Sequence, residues 1–99
     1  MLVQASSGGT GEVKSATQTA DNTMTATLEV DGSYLSINDY LVLGGYNSSG
    51  YWCFMQPNTS GYWACTFMSV GGQSGDAVRP VNAYKVSNLT FTFYYIKLS

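Results

Sequence analysis

The chain has 99 residues, which is enough for one small domain with a modest hydrophobic core. Only 10% of the residues are charged and the net charge is −2, with four scattered cations and no basic patch for nucleic-acid phosphates. No apolar run approaches the roughly 18 residues that cross a bilayer, so we expect neither nucleic-acid binding nor membrane insertion. The 11 glycines, 8 tyrosines and abundant Ser, Thr and Asn suit a neutral, hydrogen-bonding surface outside a cell.

The N-terminal segment has the composition of a linker and no export signal. Residues 1–9, MLVQASSGG, lack the basic leader and the apolar stretch of a signal peptide. If Met1 is the native start, an extracellular composition without a leader is typical of a virion protein, which assembles in the cytoplasm and leaves by lysis. The alternative is a trimmed piece of a longer protein. We expect residues 1–11 to be flexible and residues 12–99 to form a single β-rich domain.

The first paired strands are predicted around Asp31-Gly32, the strongest short signal for a β-hairpin. In residues 23–30, TMTATLEV, apolar side chains alternate with polar ones in the period of a half-buried strand. A tight turn at this dipeptide pairs Leu28 with Leu35, Ala26 with Ile37, Glu29 with Tyr34 and Thr27 with Ser36. Register and polarity agree in this arrangement, because the apolar pairs share one face.

The middle of the chain predicts further strands. Residues 39–46, DYLVLGGY, indicate a short buried strand that ends at its two glycines, although Asn38 could instead cap a brief helix. Residues 77–86 contain Pro80, which predicts an edge strand or a bulged strand. No segment has a convincing helical period, so the predicted class is all-β.

The last segment, residues 89–98, predicts a strand that is long for so small a domain. Leu89, Phe91, Phe93 and Tyr95 lie on one face, while the other face begins with threonines and ends apolar. A strand end that is apolar on both faces needs cover on both faces, which a neighbouring subunit would supply. We therefore expect an antiparallel β-sandwich built from hairpins, in an intertwined homotrimer. The candidate subunit-interface residues are Phe93, Tyr94, Tyr95, Ile96 and Leu98.

Residues 48–68 contain one phrase twice, Ser-Gly-Tyr-Trp at 49–52 and again at 60–63. Both tryptophans and both cysteines of the chain lie in this segment. We interpret the copies as the two arms of one hairpin centred on Thr59. This register places Cys53 opposite Cys65, Tyr51 opposite Phe67 and Met55 opposite Trp63, and it leaves on the other face Trp52, Phe54, Tyr62, Ala64 and Thr66.

The second face of this hairpin is aromatic, so it needs a second layer, a subunit interface or a ligand. Exposed aromatic rings rimmed by Asn, Ser and Gly are typical of surfaces on which sugar rings stack. On this basis the candidate ligand-binding residues are Tyr46, Trp52, Asn58 and Tyr62. The alternative is that the tryptophans belong to the core or to an interface, and the core is the favoured position for Trp63.

The two cysteines allow three interpretations. Directly opposed across the hairpin, Cys53 and Cys65 could form a disulfide that stabilises the fold by about 3 kcal/mol. As free thiols they would act as small hydrophobic side chains, which is the favoured interpretation for a protein made in the cytoplasm. A metal site is least favoured, because two cysteines without histidine make no zinc site, and we expect no cofactor.

Catalytic chemistry is poorly represented, so we expect no enzyme. Without histidine the chain lacks the usual general base at neutral pH, and it has no nucleophile-elbow or phosphate-loop motif. Asp76 lies three residues before Arg79, which favours a structural ion pair over a glycosidase pair. The other carboxylates are Glu12, Asp21, Glu29, Asp31 and Asp39.

Residues 45–81 carry a partial family resemblance in three motifs: Tyr51-Trp52, the aromatic stretch from Tyr62 to Phe67, and GDAVRPV from Gly75 to Val81. This part of the chain resembles the closing half of the C-type-lectin-like modules called Fibrobacter succinogenes major paralogous domains. In composition the chain also resembles the tips of bacteriophage tail fibres, which are usually intertwined trimers that bind host-surface glycan or protein. Both resemblances imply display and recognition rather than catalysis.

The sequence therefore favours a non-enzymatic module of a virion appendage, such as a bacteriophage fibre tip or receptor-binding head, that recognises a host-surface glycan or protein. Its expected partners are further copies of itself in a homotrimer, the receptor and other virion proteins, at the virion surface. One alternative is a structural assembly protein, a capsid decoration or filament subunit that binds no ligand. A second alternative is a lectin-like domain on a bacterial cell surface, exported within a longer precursor.

Overall fold

The computed structural model describes residues 11–71 and 79–98, which form antiparallel β-sheets. The all-β class predicted from the sequence is confirmed, since none of the described residues lies in a helix. The strands are β1 (Val13–Ala20), β2 (Thr25–Thr27), β3 (Glu29–Val30), β4 (Ser33–Tyr34), β5 (Tyr40–Asn47), β6 (Trp52–Pro57), β7 (Trp63–Gly71), β8 (Arg79–Ala83) and β9 (Leu89–Lys97). Nothing helical in the described part of the chain has the length and apolarity to cross a membrane.

Strand β9 is the centre of a three-stranded sheet in the order β1-β9-β5. Its predicted alternation is confirmed, because Phe93 and Tyr95 lie in the core while Tyr94 and Ile96 alternate with them. Phe93 and Tyr95 are only 0% and 7% exposed within the single chain, so little of either side chain is left to contact a neighbouring subunit. The chain's own core already covers them, and the residues that remain for an interface are Tyr94, Ile96 and Leu98.

Strand β7 is the centre of a four-stranded sheet, with β6 on one side and β2 and then β8 on the other. Its side chain Phe67 packs edge-on against Phe91 of β9, with ring centroids 5.0 Å apart, so one core joins the two sheets. Both rings are almost fully buried, and truncating either to alanine would destabilise the fold by about 3–5 kcal/mol. The core consists of Ala20, Leu28, Leu35, Val42, Cys65, Phe67, Val86, Leu89, Phe91, Phe93 and Tyr95.

Strand β8 pairs only with β7 in the described part of the chain, and its register shifts between Met68 and Val70. The prediction of an edge or bulged strand around Pro80 is therefore confirmed, and an edge is where the missing N–H of proline is tolerated. Asp76, the carboxylate predicted to pair with Arg79, lies outside the described residues. Nearly all of the flexible segment predicted for residues 1–11 also lies outside them.

Strand β5 continues through both of its glycines, so the strand end predicted there is wrong. The pairing with β9 shifts between Val42 and Gly44, which makes Leu43 the extra residue of a β-bulge. At Gly45 an added Cβ would lie 2.6 Å from the Cε atom of Met55 and 2.7 Å from a backbone oxygen of β9. This glycine therefore permits close packing between the two sheets, and it does not end the strand.

The hairpin at Asp31-Gly32 forms with the predicted register at its tip, where Glu29 pairs with Tyr34. Both turn residues have a positive φ, 55° and 82°, as a type I′ turn requires. The signal that identified this turn is therefore a local one, and tertiary packing does not override it.

The predicted pairing of Leu28 with Leu35 keeps one backbone hydrogen bond, from the Leu35 N–H to the Leu28 carbonyl at 3.0 Å. Beyond these two residues the arms separate, because the start of β7 pairs with both of them. The N–H of Leu28 donates to the Trp63 carbonyl at 2.9 Å, and the N–H of Trp63 donates to the Leu35 carbonyl at 2.9 Å. The predicted pairing of Thr27 with Ser36, and of the residues beyond them, is therefore wrong. The third strand satisfies backbone groups of both arms, while both leucines are buried in the core.

Candidate functional site

The repeated phrase Ser-Gly-Tyr-Trp forms the same turn twice, and an asparagine stands two residues before each copy, at Asn47 and Asn58. The Oδ1 atom of Asn47 accepts the N–H groups two and four residues further along, at 2.9 and 3.3 Å. The Oδ1 atom of Asn58 accepts the corresponding N–H groups, at 3.0 Å each. The glycine in each turn has a positive φ, 89° and 87°, which glycine adopts without strain. The same six-residue pattern, Asn-Ser/Thr-Ser-Gly-Tyr-Trp, thus builds the same turn twice.

The two turns occupy different places in the fold. The first leads from β5 in the three-stranded sheet to β6 in the four-stranded sheet, and the second closes the β6–β7 hairpin. This hairpin is centred on Ser60 instead of Thr59, so Cys53 lies opposite Phe67 and not opposite Cys65. The predicted register is therefore wrong by two residues. Because the shift is even, every side chain stays on its predicted face.

The tryptophans of the two copies lie on opposite sides of the sheet, because Trp52 pairs with Met68, which lies five positions after Trp63 on β7. Trp63 packs half-buried against the core, and its Nε1–H donates to the Tyr40 carbonyl at 2.9 Å. Trp52 faces outward and is 42% exposed. The predicted faces of both tryptophans are confirmed.

Trp52 belongs to an outward-facing surface of the four-stranded sheet, which we name the aromatic platform. It consists of Trp52, Phe54, Thr25, Thr66 and Met68. Trp52 pairs with Met68 and Phe54 pairs with Thr66 across the β6–β7 hairpin. Phe54 is 49% exposed, and the hydroxyl groups of Thr25 and Thr66 are hydrogen-bonded at 2.9 Å. The platform thus presents two aromatic rings beside a pair of hydroxyl groups.

The other predicted ligand-binding residues lie away from the aromatic platform. Tyr62 shares the platform's face of the chain, but it lies four positions from Thr66 and six from Met68, which corresponds to about 13 and 20 Å along an extended chain. The Tyr62 ring instead packs against Tyr34, with centroids 5.3 Å apart. Asn58 lies beside Tyr62, and its side-chain oxygen is engaged in the turn. Tyr46 lies on the three-stranded sheet, where its ring stacks on a tyrosine of β9 at 6.4 Å.

A cleft that the sequence reasoning missed lies between the β5–β6 turn and the segment that joins β8 to β9. Its volume is about 410 Å³, and it is lined by Ser49, Tyr51, Tyr84, Lys85, Val86, Ser87, Asn88 and Leu89. The rings of Tyr51 and Tyr84 are stacked, with centroids 5.2 Å apart and an angle of 19° between their planes. The sequence feature that could have indicated this cleft is the segment YKVSN at 84–88, which places an aromatic, a cationic and an amide side chain within five residues.

A third surface is an apolar outer face on the three-stranded sheet, formed by Val13, Leu41, Leu43, Tyr94, Ile96 and Leu98. Ile96 pairs with Val13 on one side and with Leu41 on the other, so these three residues form a row across the sheet. The bulge at Leu43 adds a further exposed apolar side chain to the same end of the sheet. This surface contains the three interface candidates that the core does not cover.

The two cysteines are free thiols, and their side chains are hydrogen-bonded to each other across the diagonal of the hairpin. This hydrogen bond lowers the pKa of Cys53 to about 7, with burial opposing it and the Asn47 amide assisting at 3.4 Å from the sulfur. The same hydrogen bond, together with burial, raises the pKa of Cys65. Free thiols were the favoured interpretation, and the direct opposition assumed for a disulfide does not occur. Cys53 is therefore the thiol that ionises first.

The described carboxylates lie at exposed positions on different elements: Glu12, Asp21, Glu29, Asp31 and Asp39. The Oδ1 atom of Asp21 accepts the N–H of Asn88 at 3.1 Å, which helps to hold one wall of the cleft. Within the described ranges, no group of three His, Cys, Asp or Glu residues could hold a metal ion.

Comparison with protein-family models, with curated proteins and with solved structures finds no match for this chain. The function therefore has to be inferred from the chemistry of its surfaces. The strongest candidates are the aromatic platform, the cleft and the apolar outer face.

Proposed function

We propose that the chain is a non-enzymatic recognition module of a virion appendage, such as a bacteriophage fibre tip or receptor-binding head. In this proposal the two sheets form a β-sandwich, three copies form a homotrimer, and the aromatic platform binds a host-surface glycan. The observation that carries the proposal is the exposure of Trp52 and Phe54 on one face, beside the hydrogen-bonded hydroxyl groups of Thr25 and Thr66.

The platform offers the two kinds of contact that a sugar ring needs. The face of an aromatic ring attracts the C–H groups of a sugar, and favourable aromatic contacts contribute about 0.5–1.5 kcal/mol each. The hydroxyl groups of Thr25 and Thr66 can donate to and accept from sugar hydroxyls. The platform's side chains are uncharged, so a neutral sugar would bind there without losing solvation of a charge.

The apolar outer face supports the homotrimer. Neighbouring exposed apolar side chains on a small soluble domain are typical of a protein–protein interface. The row of Val13, Ile96 and Leu41 crosses all three strands of its sheet, so a second copy could cover it as a continuous surface. In the proposed arrangement this face is buried between subunits, while the aromatic platform stays open.

The same apolar face favours a second function, that of an assembly protein such as a capsid decoration or filament subunit. In that case Trp52 would be covered by a neighbouring molecule, and the chain would bind no ligand. A lectin-like domain of a bacterial cell surface is a third possibility, with the same platform but a different location. The exposure of Trp52 in the assembled state distinguishes the second function from the other two.

A glycan array probed with wild-type protein and with Trp52→Ala tests the proposed ligand. We expect wild type to bind a defined set of glycans and Trp52→Ala to bind them at least about tenfold more weakly, as for a central aromatic contact. The matched control is Tyr34→Ala, which removes an aromatic ring that is at least as exposed as Trp52 but lies on a different element, and it should leave binding unchanged. If wild type binds no glycan but binds a surface protein of the host, the ligand is a protein; if it binds neither, the recognition function is wrong.

Multi-angle light scattering tests the homotrimer. We expect a trimer at micromolar concentration, and we expect Leu41→Lys to give monomers because it places a charge in the apolar outer face. Thr17→Lys is the matched control and should stay trimeric, because Thr17 is exposed on the same side of the sheet but at its threonine-rich end, four residues from Val13 and paired with Thr92. A monomeric wild-type protein would contradict the trimer, and open-ended polymers would favour the assembly function.

A further inference from the structure

The cleft beside the stacked tyrosines is chemically different from the aromatic platform. Its lining combines the exposed ring of Tyr84 with the ammonium group of Lys85 and the amide of Asn88, while Ser49 and Ser87 add hydroxyl groups. The volume of about 410 Å³ falls within the roughly 300–1,000 Å³ of small-molecule sites. A lining with so many polar groups fits a hydroxylated ligand better than an apolar one.

Backbone hydrogen bonds hold both walls of the cleft without a ligand. On one wall the N–H of Tyr51 donates to the turn asparagine at 3.3 Å. On the other wall the N–H of Tyr84 donates to the Phe67 carbonyl at 2.7 Å, and Val86 exchanges backbone hydrogen bonds of 2.9 and 3.2 Å with Thr23. Stacking of the two tyrosine rings then ties the walls together. A ligand would therefore enter a formed site, which lowers the entropic cost of binding.

The charges around the cleft restrict the ligand further. Lys85 is one of only four cations in a chain with six carboxylates, and it lies in the lining of the cleft. The carboxylate of Asp21 is bonded to this lining, because it accepts the backbone N–H of Asn88 at 3.1 Å. A ligand with one carboxylate would be attracted at Lys85 and repelled at Asp21, so its orientation is defined.

We propose that this cleft binds a sugar acid, a pyranose that carries one carboxylate. The sugar ring packs on Tyr84, the carboxylate accepts hydrogen bonds from the Lys85 ammonium, and the ring hydroxyls bond to the Asn88 amide and the neighbouring serines. This inference rests on the proposed recognition of saccharides, and it adds a second site with a different preference. The aromatic platform binds neutral sugar rings, and the cleft selects an acidic one.

The experiment is an NMR titration of the full chain with D-galacturonate and with D-galactose, which differ only in the acid group. We expect resonances of residues 84–88 to shift, and galacturonate to bind about tenfold more tightly than galactose, as for one charge-assisted hydrogen bond. Lys85→Gln should remove this preference, so that galacturonate and galactose bind with similar affinity. Asp21→Asn, which keeps an oxygen for the Asn88 N–H, should tighten galacturonate binding by a few fold and leave galactose unaffected.

Tyr84→Ala should weaken both sugars, because it removes the ring on which either would pack. The inference is overturned if galacturonate shifts no resonance of residues 84–88 at tens of millimolar, or if Lys85→Gln keeps the preference for the acid. These two results would overturn the cleft site without contradicting the proposed glycan binding at the aromatic platform. Array glycans that bind wild type and lose binding in Trp52→Ala, found together with no galacturonate shift at residues 84–88, would contradict the cleft site alone, whereas a wild-type protein that binds no saccharide would contradict both.

Discussion

The two copies of the phrase Asn-Ser/Thr-Ser-Gly-Tyr-Trp build one kind of turn but serve different parts of the molecule. In both copies the asparagine oxygen accepts two backbone N–H groups and the glycine has a positive φ. Yet Trp52 of the first copy is exposed on the aromatic platform, and Trp63 of the second packs against the core. The local pattern therefore determines the turn, whereas strand parity determines which tryptophan is exposed.

The largest expected difference between the copies is in stability. Trp63→Ala removes packing against the core and the hydrogen bond to Tyr40, and we expect a loss of about 2–4 kcal/mol in the free energy of unfolding. Trp52→Ala removes an outward side chain and should cost about 1 kcal/mol or less. Urea unfolding measures both. Equal losses would mean that Trp52 is also a core residue and that the platform is not a free surface.

The two turn asparagines should differ when each is replaced by aspartate. Both variants keep the oxygen that accepts the turn N–H groups, but Asn47→Asp loses the amide donor to the Tyr51 carbonyl at 2.8 Å. Asn58→Asp loses only a long contact of 3.5 Å to the Thr27 hydroxyl. We expect losses of about 1–2 kcal/mol for the first variant and about 0.5 kcal/mol or less for the second, measured by thermal unfolding.

Alanine at either asparagine removes the oxygen that accepts the turn N–H groups in both copies. We expect each alanine variant to lower the free energy of unfolding by about 1–3 kcal/mol, because these N–H groups lose their acceptor. If the two alanine variants differed while the two aspartate variants did not, the equivalence of the turns would be wrong.

A smaller effect separates the copies at Cys53, which contacts the asparagine of the first turn only. The hydrogen bond with Cys65 lowers the pKa of Cys53 to about 7, so its rate of alkylation by iodoacetamide should rise with pH around a midpoint near 7. Cys65→Ala removes the main cause of this shift and should move the midpoint up toward the ordinary thiol value of about 8.5. Asn47→Ala should move the midpoint in the same direction but by less, because the amide is a lesser cause.

Mass spectrometry of the alkylated protein identifies the modified cysteine in this experiment. Cys53→Ala is the control, since the buried Cys65 should then remain unmodified in the folded protein. A midpoint that stays near 7 in Cys65→Ala would show that the thiol–thiol hydrogen bond is not what activates Cys53.

Features determined by local chemistry were predictable from the sequence. Asp31-Gly32 specified the tip of its hairpin, because two positive φ values in succession strongly favour such residues. The alternation along β9 specified which side chains enter the core, because strand side chains alternate strictly. The outward position of Trp52 followed from the same alternation. It was predicted correctly although the hairpin register was wrong, because a shift of two residues keeps each side chain on the same face.

Features determined by competition between strands were not predictable in this way. The Asn58 turn holds two more residues between Pro57 and its partner than a hairpin centred on Thr59 would, because its asparagine accepts two N–H groups and its glycine supplies the positive φ. Likewise, nothing in the hairpin arms themselves indicates that Trp63 pairs with both Leu28 and Leu35. The cleft was missed for the same reason, since Tyr51 and Tyr84 meet only after both sheets have formed.

In the proposed function the first copy of the phrase presents Trp52 to a ligand, whereas the second copy packs Trp63 against the core. The most direct test is fluorescence of two single-tryptophan variants, Trp63→Phe and Trp52→Phe, titrated with a glycan that wild type binds on the array. The account predicts that Trp52, alone in Trp63→Phe, is readily quenched by acrylamide, and that its emission changes on glycan addition. Trp63, alone in Trp52→Phe, should be poorly quenched and indifferent to glycan. A glycan response from Trp63, or equal quenching of the two tryptophans, would contradict the account.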